Sequence, residues 1–436
     1  MNPNSTPPIS GRHKIVIIGG GFGGLTAAQA LRGSDVEVTL IDRRNFHLFQ
    51  PLLYQVATGA LSPANIAAPL RSVLKHQSNC RVLLSEVTGI DAAGRAVLIG
   101  DERLPFDSLI VAAGAVNNYF GNNQWEQHAP GLKSVEEATE IRRRVLTAFE
   151  EAERLAAGGE QERYLTFVIV GGGPTGVEMA GAISELARHT MRYDFRSLDP
   201  STARIILVEG NNRVLPPFAE KSSHRAEKVL KRMGVEVWTS AKVKDIQADH
   251  VMVERNGTLH RIETATVVWA AGVKASSLGK MLAEATGVPI DRGGRIIVQP
   301  DLTLPGHPNV YVIGDMAAVT SNGKPVPGVA QGAIQGGKFA AKAILKRIKG
   351  QADVASFAFW DKGSMATIGR NSAVAEVGWL KLSGFIAWLA WLFVHIVYLI
   401  NFSNRVMVLF QWFWNYLTRN RSARLITGER AAHERP

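Results

Sequence analysis

Cysteine is almost absent from this sequence. Of its 436 residues only Cys80 carries a thiol, so the chain cannot form an intrachain disulfide, a four-cysteine iron–sulfur cluster or a redox-active CxxC pair. Any redox chemistry must therefore depend on a bound organic cofactor. Acidic residues are also outnumbered, 38 against 49 Lys and Arg, which gives a formal net charge of +11. Such a surplus indicates nucleic acid, anionic lipid or an acidic cofactor as a partner, without choosing among them.

Long uncharged runs are confined to the carboxy-terminal end. We expect no sorting signal at the amino terminus, because residues 1–13 are polar and the apolar run Ile15–Ile18 is too short for a signal-peptide core. By contrast, Leu382–Asn404 contains no Asp, Glu, Lys or Arg, and a cluster of arginines follows it: Arg419, Arg421 and Arg424. This end of the chain is therefore expected to meet an apolar medium.

Two parts of the chain repeat one α/β pattern, in which a short apolar run enters a glycine-rich turn, a helical stretch follows, and a second apolar run ends in an acid. The first copy comprises His13–Ile18, Gly19–Gly24, Leu25–Leu31 and Val36–Asp42. The second comprises Leu165–Val170, Gly171–Gly176, Val177–Ala187 and Arg204–Glu209. The repeat predicts an α/β protein with two Rossmann-like dinucleotide-binding domains.

The first turn has the spacing GxGxxG at Gly19, Gly21 and Gly24. Glycines at these positions permit a tight turn, close approach of the backbone to a pyrophosphate, and packing of helix against strand. The start of the following helix then supplies oriented N–H donors. Asp42, at the end of the next strand, is placed to accept a hydrogen bond from a ribose hydroxyl.

The second turn repeats the arrangement with Gly171, Gly173 and Gly176. Its acid is Glu209, and an acid here favours the 2′-hydroxyl of NAD(H) over the 2′-phosphate of NADP(H). Arg213 nearby leaves NADPH open. Two dinucleotide loops in one chain indicate a flavin that receives electrons from a nicotinamide.

Further segments carry a family resemblance. Ile15–Gly24, Val111–Gly114, Trp269–Gly272 and Val312–Asp315 resemble the two-dinucleotide flavoprotein reductases. Members of that group that need reactive cysteines are excluded by the single thiol. The segments Asn45–Gly59 and Ala330–Gly337 are similar to type II NADH dehydrogenases, the non-proton-pumping NADH:quinone oxidoreductases.

The resemblance implies non-covalent FAD at the first loop, NADH as substrate at the second, and a quinone as acceptor. It implies that FAD contacts Gly19, Gly21, Gly24, Asp42, Val87, Gly114, Gly314 and Asp315. NADH would be bound by Gly171, Gly173, Gly176 and Glu209, and Gly272 would be a further cofactor-binding residue. Lys362 would lie near the flavin edge, although a solvated surface lysine is an alternative. No metal site is expected.

Three residues are implied in the chemistry. Gln331 and Gln335 are four residues apart on an expected helix, so they share a face and could hydrogen-bond a quinone carbonyl. Without the resemblance they would read as two amides on a solvated helix. Glu178, two residues after Gly176, is expected in the first turn of the following helix, where the helix dipole favours a carboxylate in any case. The resemblance implies that Glu178 lies near the nicotinamide and takes part in a proton route.

The expected domains are discontinuous. An FAD-binding domain would comprise 1–134 and 296–350, and an NADH-binding domain 135–295. A small closing segment would cover 351–380, and membrane-anchoring amphipathic helices 381–436. Trp388, Trp391 and His395 fall on one helical face, which favours a helix lying in the membrane interface over one that spans the bilayer.

The expected protein is thus a peripheral, monotopic enzyme on the cytoplasmic face of the cell membrane, bound to lipid through its tail. It would pass a hydride from NADH to FAD and two electrons to a respiratory quinone. Two alternatives stay open: an NAD(P)H-dependent reductase of a soluble ferredoxin-like acceptor, and a non-catalytic nucleotide-binding membrane protein. The charge alone does not support nucleic-acid binding, since no recognition motif accompanies it. A homodimer is possible.

Overall fold

A computed structural model of the chain describes residues 11–155, 158–351 and 355–427. They form two compact units. The first unit contains the described residues up to His47, together with Ala68–Val116 and Val273–Asp361. The second contains Leu48–Ala67, Asn117–Gly272 and the chain from Lys362 onward.

The first unit is built on a six-stranded sheet, in which the five longer strands are mutually parallel and the short edge strand is antiparallel. Ile15–Ile18 are buried, as expected for a parallel strand covered on both faces. The strand that ends at Val312 pairs with Ser108–Val111, so the chain returns to the first part of the unit. In order across the sheet the strands are Thr303–Leu304, His307–Val312, Ser108–Val111, His13–Ile18, Val36–Asp42 and Cys80–Leu84.

Helices Phe22–Ala30 and Ala330–Ile348 pack closely together in this unit. A side chain at Gly337 would overlap the carbonyl oxygen of Gly23, so the two helix backbones approach as closely as they do only because Gly337 lacks a Cβ. Smaller elements of the unit are the strands Gly89–Asp91, Ala96–Ile99 and Glu102–Pro105 and the helices Leu70–Val73 and Ser277–Thr286.

The second unit contains a four-stranded parallel sheet and a three-stranded antiparallel sheet. The parallel sheet has the order Val235–Trp238, Arg204–Val208, Thr166–Val170 and Thr266–Trp269. The antiparallel sheet consists of Ala241–Ile246, His250–Arg255 and Thr258–Glu263. Helices of this unit are Leu53–Ala57, Pro63–Ile66, Val135–Arg154, Gly159–Tyr164, Pro174–Glu185 and Glu220–Arg232.

The carboxy-terminal part of the second unit begins with three antiparallel strands, Ser364–Gly369, Ser372–Val377 and Leu380–Gly384. Two helices follow, Phe385–Tyr398 and Phe402–Thr418, which we call the C-terminal helix pair. The uncharged stretch Leu382–Asn404 is therefore a strand end, a helix and the start of a second helix. None of the described helices has the length and apolar character needed to cross a membrane.

The sequence predicted that Trp388, Trp391 and His395 form the face that meets the membrane interface, and this prediction is wrong. Trp391 is only 3% exposed and stacks on His395 at 4.2 Å between ring centroids. It also lies 5.5 Å from the ring of Trp412. These aromatic contacts hold the two helices of the pair together. Burial lowers the pKa of His395 to about 4. The tryptophan face therefore packs against protein, and a different face is left exposed.

Candidate functional site

The first loop, Gly19–Gly24, requires glycine at two positions for steric reasons. Gly19 has φ +102°, and a Cβ there would overlap the carbonyl oxygen of Ala112. A Cβ at Gly24 would overlap the carbonyl oxygen of Gly19. Gly21 differs, because a Cβ added there would meet no atom of the described residues within 4 Å. Gly21 is the N-cap of the helix Phe22–Ala30, so the open space lies where a helix start binds a phosphate. The loop thus fits a dinucleotide pyrophosphate.

Asp42 is bound to this loop. Its Oδ2 accepts a hydrogen bond from the backbone N–H of Gly20 at 2.6 Å, and its Oδ1 accepts one from the N–H of Arg44 at 2.7 Å. Each carboxylate oxygen can accept a second hydrogen bond. The acid therefore orients the loop and keeps acceptor capacity for a ribose hydroxyl.

The second loop, Gly171–Gly176, has the same construction. Gly171 has φ +107°, and its Cβ would lie 2.6 Å from backbone atoms of Ala270. A Cβ at Gly176 would overlap the carbonyl oxygen of Gly171, whereas one at Gly173 would meet no atom of the described residues within 4 Å. Gly173 is the N-cap of the helix Pro174–Glu185. This loop also fits a pyrophosphate.

In the second unit Glu209 occupies the position that corresponds to Asp42 in the first. It is 7% exposed, and its Oε2 accepts the backbone N–H of Gly172 at 2.6 Å. Its Oε1 accepts the backbone N–H and the side-chain amide of Asn211, at 2.7 and 2.6 Å. Sequence reasoning missed Asn211, although a polar side chain two residues beyond a strand-end acid is a usable signal.

The other predicted FAD residues lie in the first unit. Gly114 has φ +69°, and its carbonyl accepts the N–H of Ser276 at 3.1 Å. Gly314, with φ +67°, and Asp315 form a single turn of 3₁₀ helix and line a small cavity together with Gly328. Val87 follows the edge strand and packs on the core of this unit.

Gln331 and Gln335 do lie on one helix, Ala330–Ile348, and both reach the same short segment. The Nε2 of Gln331 lies 3.4 Å from Oδ1 of Asp361. Gln335 donates to the carbonyl of Trp360 and accepts from its N–H, both at 2.9 Å. The prediction that the two glutamines share one face of a helix is confirmed. Their side-chain amides both contact residues 360–361.

Gly272 and Lys362 lie in the second unit. A Cβ at Gly272 would come 2.7 Å from Cζ of Phe120, so glycine leaves room for that ring. The Nζ of Lys362 donates to the hydroxyl of Tyr398 at 2.9 Å, which ties the lysine to the end of the first helix of the C-terminal pair.

Glu178 is the most perturbed carboxyl of the site. It lies in the second turn of the helix that begins at Pro174, not in the first as predicted. Burial raises its pKa to about 8, against a weak hydrogen bond from the N–H of Thr367 at 3.5 Å. Burial and the charge of Glu178 also raise the pKa of Tyr54 well above its usual value. A carboxyl of this kind can hold or release a proton near neutral pH.

The sequence did not predict a polar cluster that contacts the end of the same helix at Ala182 and Glu185. Arg421 is 9% exposed and donates to the carbonyls of Thr58 and Ala182 and to the carboxylate of Glu185, at 3.1 to 3.3 Å. Tyr54 accepts from Gln55, which accepts from Trp412. Within the described residues, no cluster of three or more His, Cys, Asp or Glu could hold a metal ion.

Two glycine-rich loops, each with an acid bound to its second glycine, define an oxidoreductase that binds two dinucleotides. Residues 13–337 match the family model for pyridine nucleotide-disulphide oxidoreductases, and residues 361–420 match the NDH2 C-terminal domain. The chain is 50% identical to a type II NADH:quinone oxidoreductase of Mycobacterium tuberculosis, over 99% of this chain and 93% of the relative. It is 30% identical to a probable NADH dehydrogenase of Dictyostelium discoideum, over 92% and 88%. The chain therefore belongs to the type II NADH:quinone oxidoreductases.

Solved structures agree in fold. NDH2 from Plasmodium falciparum in complex with NADH has a TM-score of 0.87 at 21% identity, covering 96% of this chain and all of that one. A sulfide:quinone oxidoreductase from Aquifex aeolicus has a TM-score of 0.70 at 17% identity, covering 94% and 92%. The predicted family, enzyme class and cofactors FAD, NADH and quinone are confirmed, as is the α/β fold with Rossmann-type domains.

Proposed function

We propose that this chain oxidises NADH and reduces a respiratory quinone without pumping protons, while attached peripherally to the cytoplasmic face of the cell membrane. The observation that carries the proposal is the pair of glycine loops, each with an open helix start and an acid bound to the loop. We assign FAD to the first unit and NADH to the second. The units divide the chain after Val116 and after Gly272, whereas the limits expected from the sequence were 1–134 and 296–350 for FAD and 135–295 for NADH. The FAD, when bound, supplies a ring system that accepts a hydride from NADH and delivers two electrons to quinone.

The first loop would hold the FAD pyrophosphate against the N–H groups that follow Gly21. Asp42 would accept from the adenosine ribose while it keeps Gly20 in place. Gly114, Gly314, Asp315 and Val87 would contact the rest of the cofactor. Two observations support these roles: a Cβ at Gly114 would meet no atom of the described residues within 4 Å, and Gly314 and Asp315 line a small cavity.

The second loop would hold NADH in the same manner. Glu209 would accept from the ribose of the adenosine half and repel a 2′-phosphate, so NADH would be preferred to NADPH. Its buried carboxylate is fixed by three hydrogen bonds, which supports a selective role. Gly272 would leave room for the ring of Phe120 beside the nucleotide.

Glu178 would accept and release a proton. Reduction of a quinone consumes two protons, and a carboxyl whose pKa is about 8 is mostly protonated at neutral pH. We assign it the role of holding and releasing a proton during turnover. Lys362, through its contact with Tyr398, would hold a positive charge at the flavin edge.

Gln331 and Gln335 would bind the quinone. Both lie on one face of their helix, and amide N–H groups can donate to a quinone carbonyl. Both amides contact residues 360–361, so both would be held in place for the quinone.

The C-terminal helix pair would bind the membrane surface. Its exposed apolar side chains recur at helical spacing, so that each helix presents one apolar stripe. The stripes consist of Phe385, Ile386, Leu389, Phe393 and Val397 on the first helix and of Val406, Phe410, Phe413, Trp414 and Leu417 on the second, all 46–68% exposed. Monomeric proteins rarely expose a continuous apolar surface of this kind to water. With the net charge of +11, an anionic lipid surface is the partner it fits.

A reciprocal pair of variants tests the proposal. Gly21 and Gly173 both have φ −70°, and a Cβ at either position has free space, so Gly21→Val and Gly173→Val should both fold. Gly21→Val should abolish FAD binding because the valine occupies the pyrophosphate position. Gly173→Val should keep its flavin and lose reduction by NADH. We would measure flavin absorbance and the rate of its bleaching by NADH.

Full flavin content in folded Gly21→Val would contradict the assignment of FAD to the first loop. Normal reduction by NADH in Gly173→Val would contradict the assignment of the second.

A further inference from the structure

The turn between the last two strands of the chain carries an exposed tryptophan. Gly378 and Trp379 join the strands Ser372–Val377 and Leu380–Gly384, and Trp379 is 90% exposed. Gly378 has φ +58°, so the glycine supplies the positive φ that a two-residue hairpin turn needs. Turns are otherwise rich in small polar residues, so the turn itself gives no reason for a tryptophan.

Two further apolar side chains are exposed beside Trp379. Val377 and Leu380 lie directly opposite each other in the hairpin, so their side chains are neighbours on one face of the sheet. They are 41% and 39% exposed. Single exposed apolar residues are ordinary, whereas a group of adjacent ones indicates an interaction surface. We call Val377–Leu380 the hairpin tip.

The hairpin tip lies beside the end of the first helix of the C-terminal pair. A Cβ at Gly363 would overlap the carbonyl oxygen of Glu376, so the backbone of Gly363 lies against the residue that precedes the tip. The neighbouring Lys362 donates to the hydroxyl of Tyr398 at 2.9 Å, and Tyr398 is the last residue of that helix. One lysine side chain thus bridges the hairpin and the helix end at which the exposed apolar stripe finishes.

The side chains of the tip favour a membrane surface as the partner. Tryptophan prefers the level of the lipid headgroups, between water and hydrocarbon. The residue after the tip, Lys381, is exposed and suits anionic headgroups. The nearest acid of the hairpin, Glu376, is occupied within the protein, because its carboxylate accepts the hydroxyl of Ser222 at 2.6 Å. An exposed turn with these side chains can enter a bilayer surface, which requires no complementary shape.

We propose that the hairpin tip inserts into the headgroup region of an anionic bilayer beside the C-terminal helix pair, with Trp379 as its anchor. The proposal rests on the membrane attachment proposed above for the helix pair. It adds a contact that lies outside the helices. Two separate contacts would hold the second unit in one orientation on the membrane.

Site-directed spin labelling of the full-length protein tests this inference. Cys80 is the single cysteine, so Cys80→Ala gives a background in which one introduced cysteine carries the nitroxide. Trp379→Cys reports on the hairpin tip, and Phe410→Cys reports on the helix pair. Tyr193→Cys is the matched control, because Tyr193 is 78% exposed and lies outside both. Each labelled protein is measured with and without vesicles of phosphatidylglycerol and phosphatidylcholine.

We expect the vesicles to shield the nitroxide of Trp379→Cys from a water-soluble nickel chelate and to raise its collisions with oxygen, which dissolves in lipid. The nitroxide of Phe410→Cys should respond in the same way, and that of Tyr193→Cys should not respond. Trp379→Ala should also weaken binding to the vesicles about tenfold, the effect of losing one partly buried aromatic side chain. Tyr193→Ala should bind as the wild type does.

The inference would be overturned if the nitroxide of Trp379→Cys stayed open to the chelate while that of Phe410→Cys was shielded, because the helix pair would then bind alone. Shielding of Trp379→Cys in the absence of vesicles would also overturn it, since a second copy of the chain would then cover the tip. If the vesicles shielded neither nitroxide, the proposed membrane attachment would itself be wrong.

Discussion

Asp42 and Glu209 make the same contact in their two units, each accepting the N–H of the second glycine of its loop. Their spacing from the glycines predicted both as ribose ligands. Their second task, orienting the loop, could not be predicted because it depends on how the backbone turns at Gly20 and Gly172. His47, whose Nδ1 lies 2.9 Å from the carbonyl oxygen of Gly20, escaped prediction for the same reason, because the sequence does not show which carbonyl a histidine contacts.

Glu209→Gln should shift donor selectivity towards NADPH. The substitution removes the charge that repels a 2′-phosphate, and it leaves one acceptor oxygen where the carboxylate used two. We expect a higher KM for NADH and a gain of roughly threefold to tenfold in the NADPH to NADH ratio of kcat/KM, the effect of one hydrogen bond. The exposed Glu263→Gln is the control. Unchanged selectivity would mean that Glu209 does not meet the ribose.

Glu178 should make stability fall as the pH rises. Its pKa in the folded state is about 8, above the ordinary 4.5, so the unfolded state releases this proton first. Between about pH 4.5 and pH 8 the folded protein loses up to about 1.4 kcal/mol per pH unit from this group. Glu178→Gln should remove that loss.

Denaturation midpoints of wild type and Glu178→Gln measured from pH 5 to pH 8 check this. The variant should gain on the wild type as the pH rises. If the midpoints of wild type and variant changed in parallel with pH, the Glu178 carboxyl would ionise normally. That result would contradict its proposed role in holding and releasing a proton.

Among the elements, the Rossmann strands, helices and loops were predicted well because their signals are local: runs of apolar residues, glycine spacing and a strand-end acid. The tail was predicted less well. The run Leu382–Asn404 begins inside a strand because residues 380–384 pair with Ser372–Val377, a non-local contact. The face of the following helix that meets protein depends likewise on Trp412, which no periodicity reveals.

The C-terminal helix pair should lose membrane binding when charges enter its exposed stripes. Phe393 and Phe410 are 68% and 62% exposed, so Phe393→Asp and Phe410→Asp should leave the fold intact. Burying one Phe side chain contributes about 1.5–3 kcal/mol, so each substitution should weaken binding to anionic liposomes at least about tenfold. Sedimentation with liposomes measures this.

Tyr193→Asp is the control, because Tyr193 is 78% exposed and lies outside the helix pair. Liposome binding that is unchanged in both Phe393→Asp and Phe410→Asp would show that another surface meets the lipid.

For the whole molecule, the single cysteine and the repeated loop arrangement lead to one account: electrons enter from a nicotinamide at one loop and leave by way of a flavin held at the other. Family membership over nearly the entire chain supports the same account. In this account the polar contacts of the two loops serve to bind the cofactors. The exposed apolar stripes of the C-terminal helix pair give access to a lipid-soluble acceptor.

Anaerobic stopped-flow spectroscopy of the purified full-length protein tests this claim most directly. Mixing with NADH should bleach the flavin absorbance, faster than NADPH does. Mixing the reduced protein with a short-chain quinone should restore the absorbance within the time of one turnover. A flavin that NADH does not bleach, or that quinone does not reoxidise, would contradict the account.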